Sequence, residues 1–351
     1  KTSISLNTSI RDAVKEMDLK KLNSLVITNN KKKVVGIFTM GDFRRAIFFG
    51  LDINDKISSI VNKNFEYLTE GYSKKDVKKI FSNNNLISDI PVLNKKFQLL
   101  EIISRVNFFP QKDLLTKNTN LNSFPVVIMA GGKGTRLDPF TRILPKPLIP
   151  FGNNPIIRVV MDNFINFGSK KFYISINEKG SMIKAYFSDI KSSYKIKFIE
   201  ENKPLGTAGS LKLLKNKLKN TFFVTNSDIL VHSHYPAMME FHKKNNYDLT
   251  LISSIRNYVI PYGVCNFDKD GTLKSIKEKP QYDFFVNTGL YIIEPKVIKL
   301  IPDNVKFDMN ELLNKVKKKG MKIGVFPISE NSWLDVGQWP EYKNNVNKLN
   351  I

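Results

Sequence analysis

The sequence predicts an α/β protein in two parts, a duplicated small α/β module followed by a larger doubly wound sheet. Three observations carry this expectation. The apolar run 124–130 (FPVVIMA) leads straight into glycines, the pattern of a parallel strand covered on both faces. Strand-like runs beyond it alternate with helical segments. Ahead of it, one order of helix, apolar run and basic turn occurs twice. The length of 351 residues agrees with two domains of about 150 residues each.

In the first part, 10–17 (IRDAVKEM) precedes the apolar run 24–27 and a basic turn at 29–33. The same order returns as 74–80, 90–93 and 94–96, an offset of sixty-odd residues that suits two copies packed as a pair. The polar stretch 110–123 (PQKDLLTKNTNLNS) reads as a connector. The expected domains are therefore 1–115, a linker at 116–123, and 124–351. In the second part, strands are expected at 171–176, 196–199 and 221–225, with helices at 156–167, 181–189 and 207–218. Pro155 and Gly168 punctuate the first of these helices. From 247 to 293 the pattern changes to antiparallel strands, read as an insertion with a hairpin turn at 268–271 (DKDG). Asp308 and Glu311 form a capping box for a helix ending near Gly320.

Composition bounds the function. Hydrophobic residues at 42% and charged residues at 25% are an ordinary globular balance, which excludes disordered and fibrous classes. Lys and Arg number 55 against 32 Asp and Glu, a formal charge of +23 that calls for an anionic partner or substrate. The lysines are scattered and no nucleic-acid motif accompanies them, so nucleic acid is not the expected partner. Cys265 is the sole cysteine, which rules out an intrachain disulfide and suits a reducing cytoplasm. No apolar run approaches the ~18 residues of a membrane span. His232, His234 and His242 lie close in sequence without a fourth ligand, so surface or helix-start roles are preferred to a metal site. Met238 and Met239 are expected in the core.

The segment 130–137 (AGGKGTRL), with Pro145-Lys146-Pro147 after it, carries the most chemistry. Glycines after a buried strand let backbone N–H groups approach an anion, and Arg136 and Lys146 add fixed positive charge, so a polyphosphate is the natural ligand. The spacing is neither that of a P-loop nor that of a dinucleotide fingerprint.

This signature closely resembles that of the sugar-1-phosphate nucleotidyltransferases, over nearly all of 124–351, and the resemblance implies a Rossmann-like mixed sheet. It implies that Ala130, Gly131, Gly132, Gly134 and Thr135 bind the nucleotide, and that 204–210 (PLGTAGS), with Gly206 and Thr207, is a second glycine loop at the base. Asp228 and Asp335 would be the Mg2+ ligands, with Arg136 and Lys146 catalytic. Gly263, Glu278, Lys279 and Asn287 would line the sugar pocket. The chemistry needs these residue types in its own right. A sugar phosphate is largely ionised near neutral pH because its second pKa is about 6, so charge neutralisation and in-line positioning matter more than a general base. Guanine presents adjacent N1–H and N2–H donors that a carboxylate accepts together, so Glu201 ahead of the second loop favours GTP over UTP. The LGTAG loop is similar to guanylyltransferases acting on mannose and heptose phosphates, and the duplicated module joined to this part resembles that of one acting on glucosamine 1-phosphate. Glucosamine 1-phosphate is therefore the expected sugar, although the residues themselves leave it open; mannose or heptose 1-phosphate, and uridylyl or thymidylyl transfer, are the alternatives.

In the first part, 34–42 (VVGIFTMGD) resembles the signature of cystathionine β-synthase (CBS) domains, and 1–115 resembles a tandem pair of them. The resemblance implies that Thr39 and Asp42 contact an adenine nucleotide, and that the pair regulates or oligomerises, so a homo-oligomer is expected. The second copy lacks the matching Gly, Thr and Asp set. The rival reading, a catalytically silent nucleotide sensor, gives no reason for Arg136, Lys146, Asp228 and Asp335 all to be present.

Overall fold

The computed structural model describes residues 3–337 except 21, 85, 86, 110–120 and 191, together with 339 and 342. The chain divides into two compact units, 1–116 and 117–351. Most of the stretch read as a linker, 110–120, lies outside the described residues. Its last part packs within the second unit: Leu121 is buried and its N–H donates to Phe167 O at 2.8 Å.

The first unit runs β1 (Ser3–Ser5), α1 (Ile10–Leu19), β2 (Ser24–Thr28), β3 (Val34–Thr39) and α2 (Met40–Phe48). It then repeats the order as β4 (Leu68–Thr69), α3 (Lys74–Asn83), β5 (Asp89–Leu93), β6 (Leu99–Ser104) and α4 (Arg105–Phe108). In each half the first strand pairs parallel with the second, which pairs antiparallel with the third. α1 forms because Ile10, Ala13, Val14 and Met17 fall on one buried face and Ser9 caps its start, accepting from Asp12 N–H at 3.1 Å. The equivalent Ser73 and Asp76 cap α3. The halves meet at equivalent positions: Ser24 Oγ donates to Asp89 Oδ2 at 2.9 Å, and Val26 and Val34 pack with Leu93.

The second unit begins with β7 (Val126–Met129), α5 (Phe140–Ile143), β8 (Pro150–Phe151), β9 (Asn154–Pro155), α6 (Ile156–Ile165), β10 (Lys171–Ile176), α7 (Gly180–Ser188) and β11 (Lys195–Glu200). It continues through α8 (Gly206–Gly209), β12 (Phe222–Asn226), β13 (Ile229–Val231), α9 (Tyr235–Lys244), β14 (Leu249–Val259), β15 (Val264–Phe267) and β16 (Leu273–Lys277). It closes with β17 (Gln281–Ile293), α10 (Met309–Lys318), β18 (Ile323–Ile328) and β19 (Trp333–Asp335). Seven strands form a mixed sheet in the order β11-β10-β7-β12-β17-β14-β18, in which only β17 runs against the rest. The apolar run after residue 124 is therefore a central strand, with β10 on one side and β12 on the other. The chain first builds outward to β11 and then returns to β12, so the switch in strand order falls at β7, where open α/β sheets bind ligands at their carboxyl ends.

Two separate apolar layers cover the sheet. α6 contributes Ile156, Ile157, Val160, Met161 and Phe164, each fully buried and each stabilising by about 1.5–3 kcal/mol. Phe164 is wedged against Phe223 and Tyr235 at ring distances of 5.4 and 4.4 Å. Met238 and Met239 are in this core, as expected. Asp308 and Glu311 cap α10, with Asp308 N–H donating to Glu311 Oε2 at 2.7 Å.

Two expectations change. The helix read at 207–218 is a single α-turn, α8, followed by a 3-10 segment at 210–214. Glycines at 206 and 209 remove helix propensity from its start, and Asn216, at φ 73°, breaks the path before its expected end. Nor is 247–293 a separate insertion. β14 and β17 are long strands whose inner halves belong to the central sheet and whose outer halves leave it as a ribbon bearing the β15–β16 hairpin.

Candidate active site

The glycine loop leaves the carboxyl end of β7. Ala130 is buried and its N–H donates to Ser175 O at 3.0 Å, which fixes the loop's origin. Gly131 lies so close to the second loop that a Cβ there would sit 2.7 Å from Glu201 Oε1, whereas Gly132 faces open space. Gly134 has φ +71°, and a Cβ on it would meet Lys146 Cβ at 2.8 Å and Thr141 Cγ2 at 3.0 Å. The loop thus folds over the Pro-Lys-Pro segment, and only glycine permits both the dihedral and the approach. Thr135 and Arg136 follow in a 3-10 turn anchored by the fully buried Leu137. Thr135 and Arg136 are exposed, and Arg136 makes no ion pair or hydrogen bond among the described residues. Lys179 closes the far side by donating to the carbonyls of Thr141 and Arg142 at 2.7 and 2.8 Å.

The two aspartates, 107 positions apart, come together through a short antiparallel pairing of β13 with β19. Val336 N–H donates to the Asp228 carbonyl at 3.0 Å. Both carboxylates converge on Gly337: its N–H donates to Asp335 Oδ1 at 2.8 Å, and a Cβ on it would fall 1.9 Å from Asp228 Oδ2. The Lys146 ammonium forms an ion pair with the same Asp228 Oδ2, and both side chains are mostly buried. Lys146 therefore links the glycine loop to the aspartates. A cation already sits on one carboxylate of a hard-oxygen pair, and that donor set fits Mg2+, which takes one or two protein carboxylates and completes its shell with phosphate oxygens and water. No cluster of three or more His, Cys, Asp or Glu suited to a metal occurs among the described residues.

Glu201 follows β11 and is buried. Its Oε1 accepts from the Ser175 hydroxyl and its Oε2 from Leu205 N–H at 3.0 Å. It thereby ties β10 to the second glycine loop and packs against the first. A carboxylate has about four acceptor positions, so these two bonds leave capacity on each oxygen. Glu200, by contrast, is exposed and pairs with Lys184. In the second loop, Gly206 (φ +79°) lies against Asp308, and Thr207 donates to Asp308 Oδ1 through its N–H at 2.9 Å and its hydroxyl at 3.2 Å. Those contacts anchor the loop to the start of α10.

The sugar-side candidates lie on the ribbon and its approaches. Gly263 is adjacent to Glu278, whose Oε2 would be 3.0 Å from a Cβ at 263. Asn287 donates to Tyr291 Oη at 2.6 Å and accepts from Gly289 N–H at 2.9 Å. Burial pushes the Tyr291 phenol up to about 12, so it stays a neutral partner for Asn287. Gly289 (φ +81°) abuts Asn226, two residues before Asp228, which joins this strand to the aspartate turn. Glu278 and Lys279 are both exposed.

In the first unit, Thr39 and Asp42 are occupied with one another. They form a capping box at the start of α2, with Thr39 N–H and Oγ1 donating to Asp42 Oδ2 at 2.8 and 2.7 Å, and Arg45 pairs with the other oxygen. Asp42 is 2% exposed, and this geometry starts a helix. The histidines also separate. His234 caps α9, accepting from Ala237 N–H at 3.2 Å, as expected of a helix-start role. His242 is fully buried between Thr250 at 2.8 Å and Glu294 at 3.2 Å, which corrects the surface reading.

Two residues that organise the site went unassigned in the sequence, Ser175 and Gly337, and Asp308 was read there only as a helix cap. Gly337 left a signal as the glycine two residues after the candidate ligand Asp335.

A glycine loop at the switch point, a lysine bridging it to paired aspartates and a second glycine loop beside it form the candidate site of this α/β domain. The nucleotidyl transferase family profile matches residues 125–350, and the chain belongs to that family. A CBS domain profile matches residues 2–48. The chain is 35% identical over 222 residues to a mannose-1-phosphate guanyltransferase of Yarrowia lipolytica, the match covering 60% of each chain. It is 33% identical over 225 residues to that of Saccharomyces cerevisiae, covering 60% of this chain and 61% of the relative. The match thus spans about 60% of the length of these curated relatives. Among solved structures, HddC from Yersinia pseudotuberculosis complexed with GMP-PN is 27% identical with a TM-score of 0.51, covering 64% of this chain and 99% of that one. A Bacillus anthracis protein described as a putative glucose-1-phosphate thymidylyltransferase, at 20% identity and a TM-score of 0.51, shares the fold.

Proposed function

We propose that this chain is a Mg2+-dependent sugar-1-phosphate guanylyltransferase that converts GTP and a sugar 1-phosphate to a GDP-sugar and pyrophosphate. The observation that carries the reading is the convergence of Lys146, Asp228 and Asp335 beneath a glycine loop whose exposed Arg136 has no protein partner among the described residues. An oxygen of the sugar phosphate attacks the α-phosphorus, a new P–O bond forms, and the bond to the β-phosphate oxygen breaks to release pyrophosphate. Arg136 and Lys146 neutralise the negative charge that builds on the phosphoryl oxygens, worth about 10²–10³ in rate for one well-placed donor. Asp228 and Asp335 would hold Mg2+, which when bound supplies charge neutralisation and a template for the phosphates. Glycine-loop N–H groups orient the triphosphate, and Glu278, Lys279 and Asn287 orient the sugar phosphate.

The guanylyl assignment rests on the Glu201 carboxylate beside the second loop and on the guanyltransferase names of the relatives. Glucosamine 1-phosphate is the expected sugar. A CBS-type pair joined to this catalytic part and the ending 335–342 (DVGQWPEY) resemble a glucosamine-1-phosphate guanylyltransferase of legionaminic acid synthesis. Mannose 1-phosphate is the second reading, favoured by the curated relatives. The first unit is proposed as a regulatory or oligomerising module. The test is pyrophosphate release over four nucleoside triphosphates and the 1-phosphates of glucosamine, mannose and heptose. GTP with one sugar should dominate; activity with UTP alone would overturn the base assignment.

A further inference from the structure

The second glycine loop is held by a segment about a hundred positions further along the chain. Phe307 N–H donates to Leu205 O at 2.9 Å, and Phe307 O accepts from the N–H groups of Ala208 and Gly209 at 3.0 and 2.9 Å. The two segments approach so closely that a Cβ on Gly206 would fall 2.7 Å from Asp308 Oδ1, and one on Gly209 would fall 3.0 Å from Val305 O. Leu205 and Phe307 are both buried at this junction.

Asp308 serves two structures at once. Its capping box with Glu311 starts α10, while its Oδ1 accepts both the N–H and the hydroxyl of Thr207, at 2.9 and 3.2 Å. Thr207 reciprocates: its Oγ1 accepts from Met309 N–H at 2.9 Å, one of the N–H groups that a helix start leaves without an intrahelical partner. Both donors of Thr207 are therefore spent on Asp308. Within the loop, Leu205 N–H donates to Glu201 Oε2 at 3.0 Å. The chain of contacts is continuous, from α10 through Thr207 and Leu205 to the buried carboxylate of Glu201.

We propose, on the reading of the second glycine loop as the base site, that Asp308 is a positioning residue for nucleotide recognition. It holds 205–207 in the turn that presents Leu205 N–H to Glu201. Glycines have the most backbone freedom to lose, and Gly206 and Gly209 lie in this loop. Without the Asp308 contact, nucleotide binding must itself supply the free energy of ordering the loop, which weakens affinity and leaves the chemical step of the bound complex alone.

Calorimetric titration of the full chain with MgGTP and MgUTP, beside kcat and the KM of the sugar phosphate, separates this role from that of a plain helix cap. Asp308→Ala should raise the Kd of the preferred nucleotide about tenfold, as losing hydrogen bonds to a carboxylate does, with kcat and the sugar-phosphate KM within about twofold of wild type. Asp308→Asn keeps an oxygen acceptor and a good N-cap, and should return Kd to within about threefold of wild type. Glu311→Ala removes the other half of the capping box without touching Thr207, so it should lower Tm by about 2–4 °C and leave Kd unchanged. A Kd unchanged by Asp308→Ala, or raised as much by Glu311→Ala, overturns the proposal. Nucleotide binding by wild type without pyrophosphate release would instead overturn the transferase reading, and the Kd comparison would still decide the role of Asp308.

Discussion

Gly337→Ala is the smallest perturbation that separates this site from a coincidental cluster of charges. Adding one methyl places a carbon 1.9 Å from Asp228 Oδ2 and 2.8 Å from Lys146 Nζ, where real Cβ contacts below 3.0 Å essentially never occur. No left-handed dihedral is involved at 337, so the effect is purely steric. The Asp228 carboxylate must retreat by about an ångström, and a displacement of about 1 Å at a reacting centre costs about 10²-fold. That is about 2.7 kcal/mol at 1.36 kcal/mol per tenfold. Overpacking a well-filled site costs a further ~1–3 kcal/mol of stability. The assay is steady-state pyrophosphate release at varied MgGTP, beside a melting curve. We expect kcat/KM to fall by about 10²-fold and Tm to drop by several degrees. A variant within threefold of wild type in kcat/KM would refute the reasoning, because it would mean that Asp228 need not be where the fold holds it.

Arg136→Ala is expected to leave Tm unchanged, because the side chain has no protein partner among the described residues, while kcat/KM falls by about 10²–10³; a loss of Tm would show that the residue is structural. Glu201→Gln should shift nucleotide preference from GTP toward UTP in competition assays, and Ser175→Ala should loosen the same loop and raise KM for GTP; an unchanged GTP:UTP ratio in the first removes the base assignment. Burial holds His242 below its usual pKa against the opposing pull of Glu294. It is neutral in the fold, while the unfolded chain takes up a proton near pH 6.5. Its contribution is complete above that pH and declines as pH falls toward the depressed folded value. His242→Gln should therefore flatten the fall in Tm between pH 7 and 5; an unchanged slope would assign that fall to other groups, such as His232, whose pKa burial also lowers.

What the sequence disclosed follows the range of the interactions involved. The central strand was legible because a strand buried on both faces is continuously apolar, and its glycine loop because phosphate binding needs N–H groups next to each other in the chain. Capping at Asp308 and the turn at 268–271 are equally local. The long-range contacts were not legible. Ser175 meets Glu201 only because β10 and β11 lie side by side, and Thr207 meets Asp308 across 101 positions. The leucines and lysines of 207–218 mimic helical periodicity, yet the glycines flanking the first turn decide the outcome. His242 looked like a surface residue because its neighbours in sequence are lysines, while its neighbours in space are Thr250 and Glu294. Asp228 and Asp335 were picked out separately, and what joins them, the pairing of two three-residue strands, is too short to announce itself in any pattern.

The most direct test of the central claim follows GTP and glucosamine 1-phosphate by phosphorus NMR with Mg2+, using wild type and Asp228→Asn in parallel. The account predicts growth of GDP-sugar and pyrophosphate resonances with wild type and at least a 10²-fold slower appearance with the variant. Equal product formation by both proteins would contradict it.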